Sequence, residues 1–540
     1  MFAGTGPFHR FNVFAGTGHL LRLALRRDRV MLPVWAVILA ASLSLSAAAT
    51  IALYPDQQAV DGAVAAQNAS PSVIAMYGEV YPTEGYVSVF KMMPLGALFV
   101  ALFAMLLVRR HTRSDEESNR VELLAAGELG RQAPMAAAVL TGFIGVGLTA
   151  VLAALSQMAV GLPVRGSIVV GLAWLAVGVT FTGVTAVTAQ VSQSARICSG
   201  LTGLVIGVSF VLRGAADSFG GNWGVLGWIS PLGWPHHMRP YAGDNGWILL
   251  PALAVTAILL VVAALLRDRR DLGAGLMPAR PGPAVAEPSL RNAFGLAWRL
   301  QRGSAFAWSV AVIFGGLLIG GIAASAADMI QTPEAQKAIE ALGGSGGLTD
   351  VFFVVEFSFM AVIVSGFGIA SVLRLPAEES ETRGELVLAT ATSRNRFLAS
   401  HVVIGLVFSG VLVLLLGLFA GLSSADQFGG VGPSIRHLLP AALVQIPAIW
   451  VCVAATVLLY AIRPRLAFGG WILLAAFLLL GQLGTLLELP GTAMRLSPFD
   501  HVPHAPVEQV TAGGPVALVC VTAVLLAGAM LLFRRRDVTT

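Results

Sequence analysis

The stretch EESNRVELLAAGELGR occupies residues 116–131, and EESETRGELVLATATSR occupies residues 378–394. Each follows a long apolar run, in a chain that is only 12% charged. Allowing one inserted residue, the pairs are Glu116/Glu378, Glu117/Glu379, Ser118/Ser380, Arg120/Arg383, Glu122/Glu385, Leu123/Leu386 and Arg131/Arg394. A charge-dense segment that recurs at equivalent points of an apolar chain indicates a duplicated membrane protein. It offers two docking surfaces to something soluble.

The rest of the composition agrees. Of 540 residues, 56% are hydrophobic, and the mean hydropathy is +0.79. Soluble domains carry about twice this share of charge, so too little polar surface remains to face water. Apolar runs lie at 32–53, 88–108, 134–160, 167–189, 197–216 and 247–266, and again at 306–327, 351–373, 399–421, 437–462, 466–487 and 515–533. Each is near or above the roughly 20 residues that cross about 30 Å of hydrocarbon. The expectation is an all-α integral membrane protein with twelve transmembrane helices in two fused, pseudo-symmetric six-helix halves. The first half covers residues 1–266 and the second 291–540. A Pro/Gly/Ala-rich cytosolic linker at 267–290 joins them.

With the N-terminus inside, 27 of the 34 basic residues fall in cytoplasmic segments. The positive-inside rule then sets both termini in the cytoplasm of a multi-pass protein of the plasma (inner) membrane. The first run ends in SLSAAATIA but is too long for a signal-peptide core, so it reads as a retained helix.

Each half repeats the same parts in the same order. It opens with a basic amphipathic stretch. In GHLLRLALRRDR, Arg22, Arg26 and Arg29 share one face and Leu20, Leu21, Leu23 and Ala24 the other, as in a helix lying in the headgroup plane. Leu23, Arg26, Arg29 and Trp35 recur as Leu296, Arg299, Arg302 and Trp308, a constant 273 residues later. External loops are expected at 54–87 and 328–350. Before the last helix of each half comes a further external segment, with Ser230-Pro231-Leu232 matching Ser497-Pro498-Phe499. The first copy holds four tryptophans, a composition suited to a short helix dipping into the outer leaflet.

One motif is missing. A phosphate-binding P-loop needs a lysine after its glycines, and the chain's two lysines, Lys91 and Lys337, stand in no such context. The chain is not expected to be an enzyme, and energy must enter from elsewhere. The acidic segments put carboxylates at a helix start and arginine at its end, as the helix dipole favours. Leu123, Leu124 and Leu386, flanked by charge, look like a small protein contact with a polar rim.

This order of parts resembles the membrane subunit of ABC-2-type (type V) ABC exporters. Two fused halves with SPLGW before the sixth helix resemble the actinobacterial exporters of polyketide antibiotics. The resemblance covers essentially the whole chain. It implies that the acidic segments are coupling helices and the basic stretches elbow helices. Two copies of a separately encoded ABC ATPase, carrying ATP and Mg, would be the partners, and this chain would hold no cofactor of its own. Glu116, Glu117, Arg120, Glu122 and Leu123 would meet one ATPase; Glu378, Glu379, Arg383, Glu385 and Leu386 would meet the other. Arg22, Arg26, Arg29, Arg299 and Arg302 would belong to the elbows. The cargo would be a hydrophobic or amphipathic small molecule of antibiotic type, moved outward across the lipid bilayer. Nucleic acid is not an expected partner. The alternative is a proton-driven secondary multidrug transporter of 6+6 architecture, whose loops suit these acidic segments less well.

Ionisable residues inside apolar runs are costly and mark function. Glu356 and Arg213 are candidates for the path or a gate; Lys91 and Glu488 lie nearer the ends of runs. Phe90, Phe99 and Phe103, with Phe353, Phe357 and Met360, would line an apolar cavity or pack between helices. His236, His237, His501 and His504 have no compelling ligand spacing and read as interfacial, with no metal site. Cys198, Cys452 and Cys520 read as small hydrophobes.

Overall fold

In a computed structural model the chain divides into two compact units, Met1–Gly282 and Pro283–Thr540. The structure describes residues 13–69, 71–118, 129–219, 221–271, 273–277, 284–285, 287–328, 347–380, 382–483, 494–508 and 510–536. Among these all regular structure is helical, and eleven helices are long and apolar enough to cross a membrane.

The first unit starts with α1 (Thr17–Arg27) and α2 (Met31–Leu53). Three short helices follow: α3 (Gln57–Asn68), α4 (Pro71–Tyr77) and α5 (Glu84–Val89). The long helices α6 (Met92–Arg109), α7 (Ala133–Ala159), α8 (Val164–Val191), α9 (Ala195–Phe219) and α10 (Leu249–Asp268) complete it. The second unit holds α11 (Ala293–Asp328), α12 (Gly347–Val372), α13 (Arg374–Ser380), α14 (Arg383–Leu388) and α15 (Arg394–Ser423). It ends with α16 (Val431–Leu443), α17 (Ile446–Ile462), α18 (Gly469–Leu483) and α19 (Gly513–Arg535).

Helix α8 is the buried centre of the first unit, packed on α6, α7, α9 and α10. Its threonines are compatible with that depth because their hydroxyls bond inside the helix. Thr180, Thr182 and Thr185 each donate to the carbonyl four residues back, at 2.9, 2.9 and 2.6 Å. Small residues set how close the helices come. Gly96 of α6 lies under the indole of Trp174, where a Cβ would collide with the ring. In the second unit the closest pairing is α11 against α15. Gly316 and Gly320, one turn apart, face the α15 backbone; a Cβ at Gly316 would sit 2.9 Å from the Leu416 carbonyl oxygen. This small-xxx-small face replaces a hydrophobic driving force that lipid cannot supply.

Four expectations change in detail. First, the two basic stretches differ. In the first unit α1 is a separate helix, because Pro33 has no N–H to continue it and Asp28 turns inward at the break. In the second unit no proline intervenes, and Arg299 and Arg302 lie on the 36-residue α11 itself, with no separate elbow. Second, Arg29 lies beyond the end of α1, in the turn before α2. Third, the run 437–462 is two helices, α16 and α17, divided just before Pro447. Fourth, the loop expected at 54–87 folds into α3–α5 around a small core of Val60, Val64, Val80, Tyr86, Val87 and Phe90. Asp56 caps α3 by accepting from the Ala59 N–H at 2.8 Å. The run 466–487 appears as α18, and its residues 484–487 lie outside the described residues. The SPL segments carry the short helices Val225–Ile229 and Trp234–Met238 in one unit and a single turn, Pro498–His501, in the other.

Replacing Gly320 by leucine is expected to force α11 and α15 apart. Overpacking of this kind costs about 1–3 kcal/mol, to be read as a lower midpoint of thermal unfolding for the purified protein in detergent.

Candidate functional site

The acidic segment of the first unit is built from the end of α6. Beyond Arg109 the helix widens into a π turn, Arg110–Ser114, and closes on Asp115–Glu117. The wider turn brings three successive acids round to face three different elements. Asp115 accepts from Arg27 of α1, at 2.8 and 3.0 Å. Glu116 points inward and is buried. Its Oε1 accepts from Arg270 Nη2 at 2.8 Å and Arg267 Nη1 at 3.4 Å; its Oε2 accepts from Arg113 Nη1 at 2.9 Å and Arg270 Nη1 at 3.1 Å. Glu117 accepts the N–H of Ala195, at the start of α9, at 2.7 Å. One carboxylate among three guanidinium groups leaves positive charge to balance. Carbonyl oxygens meet it: Arg113 donates to Ala189 and Ala274, and Arg270 donates to Ala274. Arg131, at the far end of the segment, donates to the carbonyls of Asp268 (2.8 Å) and Arg270 (3.1 Å), where α10 ends. There the helix dipole adds to the attraction. Asp28 is buried beside the same segment, its Oδ2 2.6 Å from His111 Nε2.

The second unit repeats the device with fewer parts. Glu379, at the end of α13, is buried. It accepts from Arg536 Nη2 at 2.6 and 2.7 Å and from the Tyr460 hydroxyl at 3.0 Å. Arg536 follows α19; it donates to the Tyr460 carbonyl at 2.6 Å and stacks over the rings of Tyr460 and Phe533. Arg394 donates to the Arg536 carbonyl at 2.6 Å. In both units, then, a carboxylate and an arginine flanking the acidic segment close onto the C-terminal end of the unit's last helix. This geometry revises the pairing of the repeat. Glu116 corresponds to Glu379 and Asp115 to Glu378, a spacing of 263 residues, the same as Arg131 to Arg394. No inserted residue is needed.

The chain matches two known descriptions. Residues 290–534 fit the family model described as the C-terminal domain of the multidrug efflux system permease Rv1217c. Over 539 residues, 99% of this chain and 98% of the relative, it is 40% identical to the multidrug efflux system permease protein Rv1217c of Mycobacterium tuberculosis (strain ATCC 25618 / H37Rv). The chain belongs to this permease family. The resemblance drawn from the order of motifs is borne out. The protein is a multi-span helical permease, the membrane component of an ABC-2-type exporter and not itself the ATPase.

The permease distributes the remaining candidate residues unevenly. Glu116 and Glu379, expected among the docking residues, are instead buried and spent on arginines of their own chain. Glu117 is exposed but bonded to the start of α9. Glu378 bonds Arg383 at 2.9 and 3.1 Å. On α14, Arg383 and Glu385 are exposed, and Leu386 is 73% exposed. Arg120, Glu122, Leu123 and Leu124 lie outside the described residues, as does Glu488. Arg22, Arg26, Arg29, Arg299 and Arg302 are all exposed. The apolar side of α1 faces α7, with Leu20, Leu23 and Ala24 lining a cleft against Ala137 and Ala138.

Two candidates for the path turn out to hold structure together. Arg213 is buried and donates to the carbonyls of Ala75 (2.9 Å) and Met76 (2.5 Å), with Asp217 at 3.6 Å. It tethers α4 to α9. Phe103 is buried and stacked on Trp35, ring centroids 5.1 Å apart. Phe353 and Phe357 are buried in the core of the second unit, and Phe90 in that of α3–α5. Phe99 is exposed, and Met360 and Glu356 are half-buried. Near the Arg213 tether, His236 Nδ1 lies 3.1 Å from the Tyr86 hydroxyl. Burial, with His237 and two arginines nearby, pushes the His236 pKa down to about 3 and keeps the ring neutral. Among the described residues no three metal-binding side chains converge. Cys198 and Cys452 are buried and Cys520 is exposed.

Sequence reasoning missed Arg113, Arg267, Arg270 and Arg536, counting them only as cytoplasmic positive charge. For Arg267, Arg270 and Arg536 the signal was position: arginines at the end of each half's last apolar run, with a two-carboxylate segment elsewhere in the same half; Arg113 stands beside such a segment, three residues before Glu116. Glu379→Gln and Arg536→Ala should each destabilise the second unit by on the order of 3–5 kcal/mol, because a buried charge then loses its partner. The double variant should cost less than the sum. Thermal unfolding of the purified permease tests this; strictly additive losses would show that the pair does not interact.

Proposed function

We propose that the permease exports a hydrophobic or amphipathic small molecule, driven by ATP hydrolysed on two copies of a separate ABC ATPase. In this reading each half contributes six spans, with residues 466–487 forming the eleventh of twelve. Both termini and both acidic segments lie in the cytoplasm of the plasma membrane, and the SPL segments dip into the outer leaflet. The boundaries follow the apolar runs, with halves at 1–266 and 291–540.

The repeated clasp is the observation that supports this most. A charge-dense segment that served only as a loop would need no buried carboxylate tied to a helix more than 150 residues away, as Glu116 is to Arg270 and Glu379 to Arg536. Each segment is fastened to the last helix of its half, so a push on the segment moves that helix. The docking face itself falls to side chains that point outward. In the second half these are Arg383, Glu385 and Leu386 of α14, an exposed leucine ringed by charge. In the first half Arg120, Glu122 and Leu123, at the matching spacing of 263, take the same role. ATP-driven closure of the ATPases would displace both segments, and the clasps would carry the displacement into α10 and α19. A cargo is released only if the two end states hold it differently.

Leu386→Asp combined with Glu385→Lys is expected to lower recovery of the ATPase with the permease about tenfold, the effect of losing a small interface's central contact. Thermal stability should be unchanged, since both side chains are exposed. The check is co-purification together with permease-stimulated ATP hydrolysis; wild-type stimulation in the double variant would remove α14 from the interface.

A further inference from the structure

Glu356 is the feature that neither the clasps nor the packing absorbs. It stands nine residues into α12, about 14 Å along the axis at 1.5 Å per residue, well inside the stretch that crosses hydrocarbon. An acid at that depth is expensive and needs a partner. Asp350, nearer the start of the same helix, has one: His437 Nε2 lies 2.8 Å from its Oδ1. Glu356 has no hydrogen-bond or ion-pair partner among the described residues. Among the described basic residues of this unit's long helices, Arg299 and Arg302 lie in the first third of α11, Arg394 and Arg396 at the start of α15, Arg534 and Arg535 at the end of α19, and Arg436 with His437 in the middle of α16. His401, deeper in α15, is already engaged by Gln301 at 3.1 Å.

The surroundings of Glu356 are selective. Phe352 and Met360 stand one turn to either side, four residues away on the same face of α12, and all three side chains are half-buried. Gly315 of α11 lies opposite, within ordinary van der Waals reach of Met360, and Phe352 and Met360 pack partly against the core of the unit. An aromatic ring, a thioether and a carboxylate in a row attract one kind of guest. The ring and the sulfur accept an apolar body, the ring face favours positive charge, and the carboxylate supplies the counter-charge in a medium that screens it weakly. A neutral guest would leave the acid unpaired, and an anion would be repelled.

We propose that Phe352, Glu356 and Met360 form a recognition site for a lipophilic organic cation, which supplies the counter-ion that the fold withholds from Glu356. This rests on the exporter reading above and adds to it a site for positively charged amphiphiles, which neutral cargo does not engage.

The test uses the purified full-length permease, alone and reconstituted with its ATPase in vesicles, and tetraphenylphosphonium as the probe, beside a neutral apolar dye. Wild-type permease should bind tetraphenylphosphonium. Glu356→Gln should weaken that binding at least tenfold and lower its ATP-driven export to match, with export of the neutral dye within twofold of wild type. Glu356→Asp, which keeps the charge, should restore most of the binding. Unchanged cation binding in Glu356→Gln, or an equal loss for both probes, overturns the site while dye export still upholds the exporter reading. Cation binding that depends on Glu356, with no ATP-driven export of either probe, supports the site and contradicts the exporter reading.

Discussion

A buried carboxylate held by arginine at the end of a helix is the constraint on which this end of each unit, where the acidic segment sits, depends. Glu116 and Glu379 could not stay inside unpaired, because a lone buried charge costs several kcal/mol. Nor could Arg270, which is itself buried beside Glu116. Once paired, each carboxylate fixes where the second long helix of its unit stops, and therefore where the next chain segment begins. Arg131 and Arg394 close the other side by bonding the last carbonyls of α10 and α19. The segment between is then fastened at both ends to one helix.

The two clasps are built unequally. Three guanidinium groups surround Glu116, and the surplus charge is taken up by carbonyls of α8 and of the chain after α10. Glu379 has a single arginine, supported by a tyrosine hydroxyl and two aromatic rings. The additional ties also differ: in the first unit Asp115 reaches Arg27 of α1 and Asp28 lies against His111, whereas in the second Glu378 bonds Arg383 of its own segment. The first unit's segment is accordingly held from more directions. An expected inserted residue proved unnecessary as the source of the asymmetry; the difference lies in which side chains were recruited around the same pair.

The helices themselves were legible in the sequence, because a membrane span announces itself by length and apolarity alone. The order of parts was legible too, and it led to the right family. Register between the two acidic segments was not. Matching Glu-Glu to Glu-Glu equated Glu116 with Glu378, whereas the structure equates it with Glu379, since direction inward is set by the helix turn and not by letter identity. The π turn at Arg110–Ser114 supplies that direction in the first unit, and no simple periodicity signals it. Arg213 shows a further limit. Depth in an apolar run marked it for the path, but its partners, the carbonyls of Ala75 and Met76, come from a loop that folds into helices of its own. Glu356 was marked by the same rule and remains without a partner among the described residues, so the rule identifies costly positions and only the contacts separate tether from recognition site.

The central claim is that each acidic segment and the last helix of its unit move as one body. Distances between spin labels at Glu385→Cys on α14 and Arg535→Cys on α19, in a permease cleared of its own three cysteines and assembled with its ATPase, test this directly. With and without trapped ATP, that distance is expected to change by less than about 2 Å, the scale of small helix shifts. A change of about 5 Å, one helical turn, or a broad spread of distances on trapping ATP would contradict the claim.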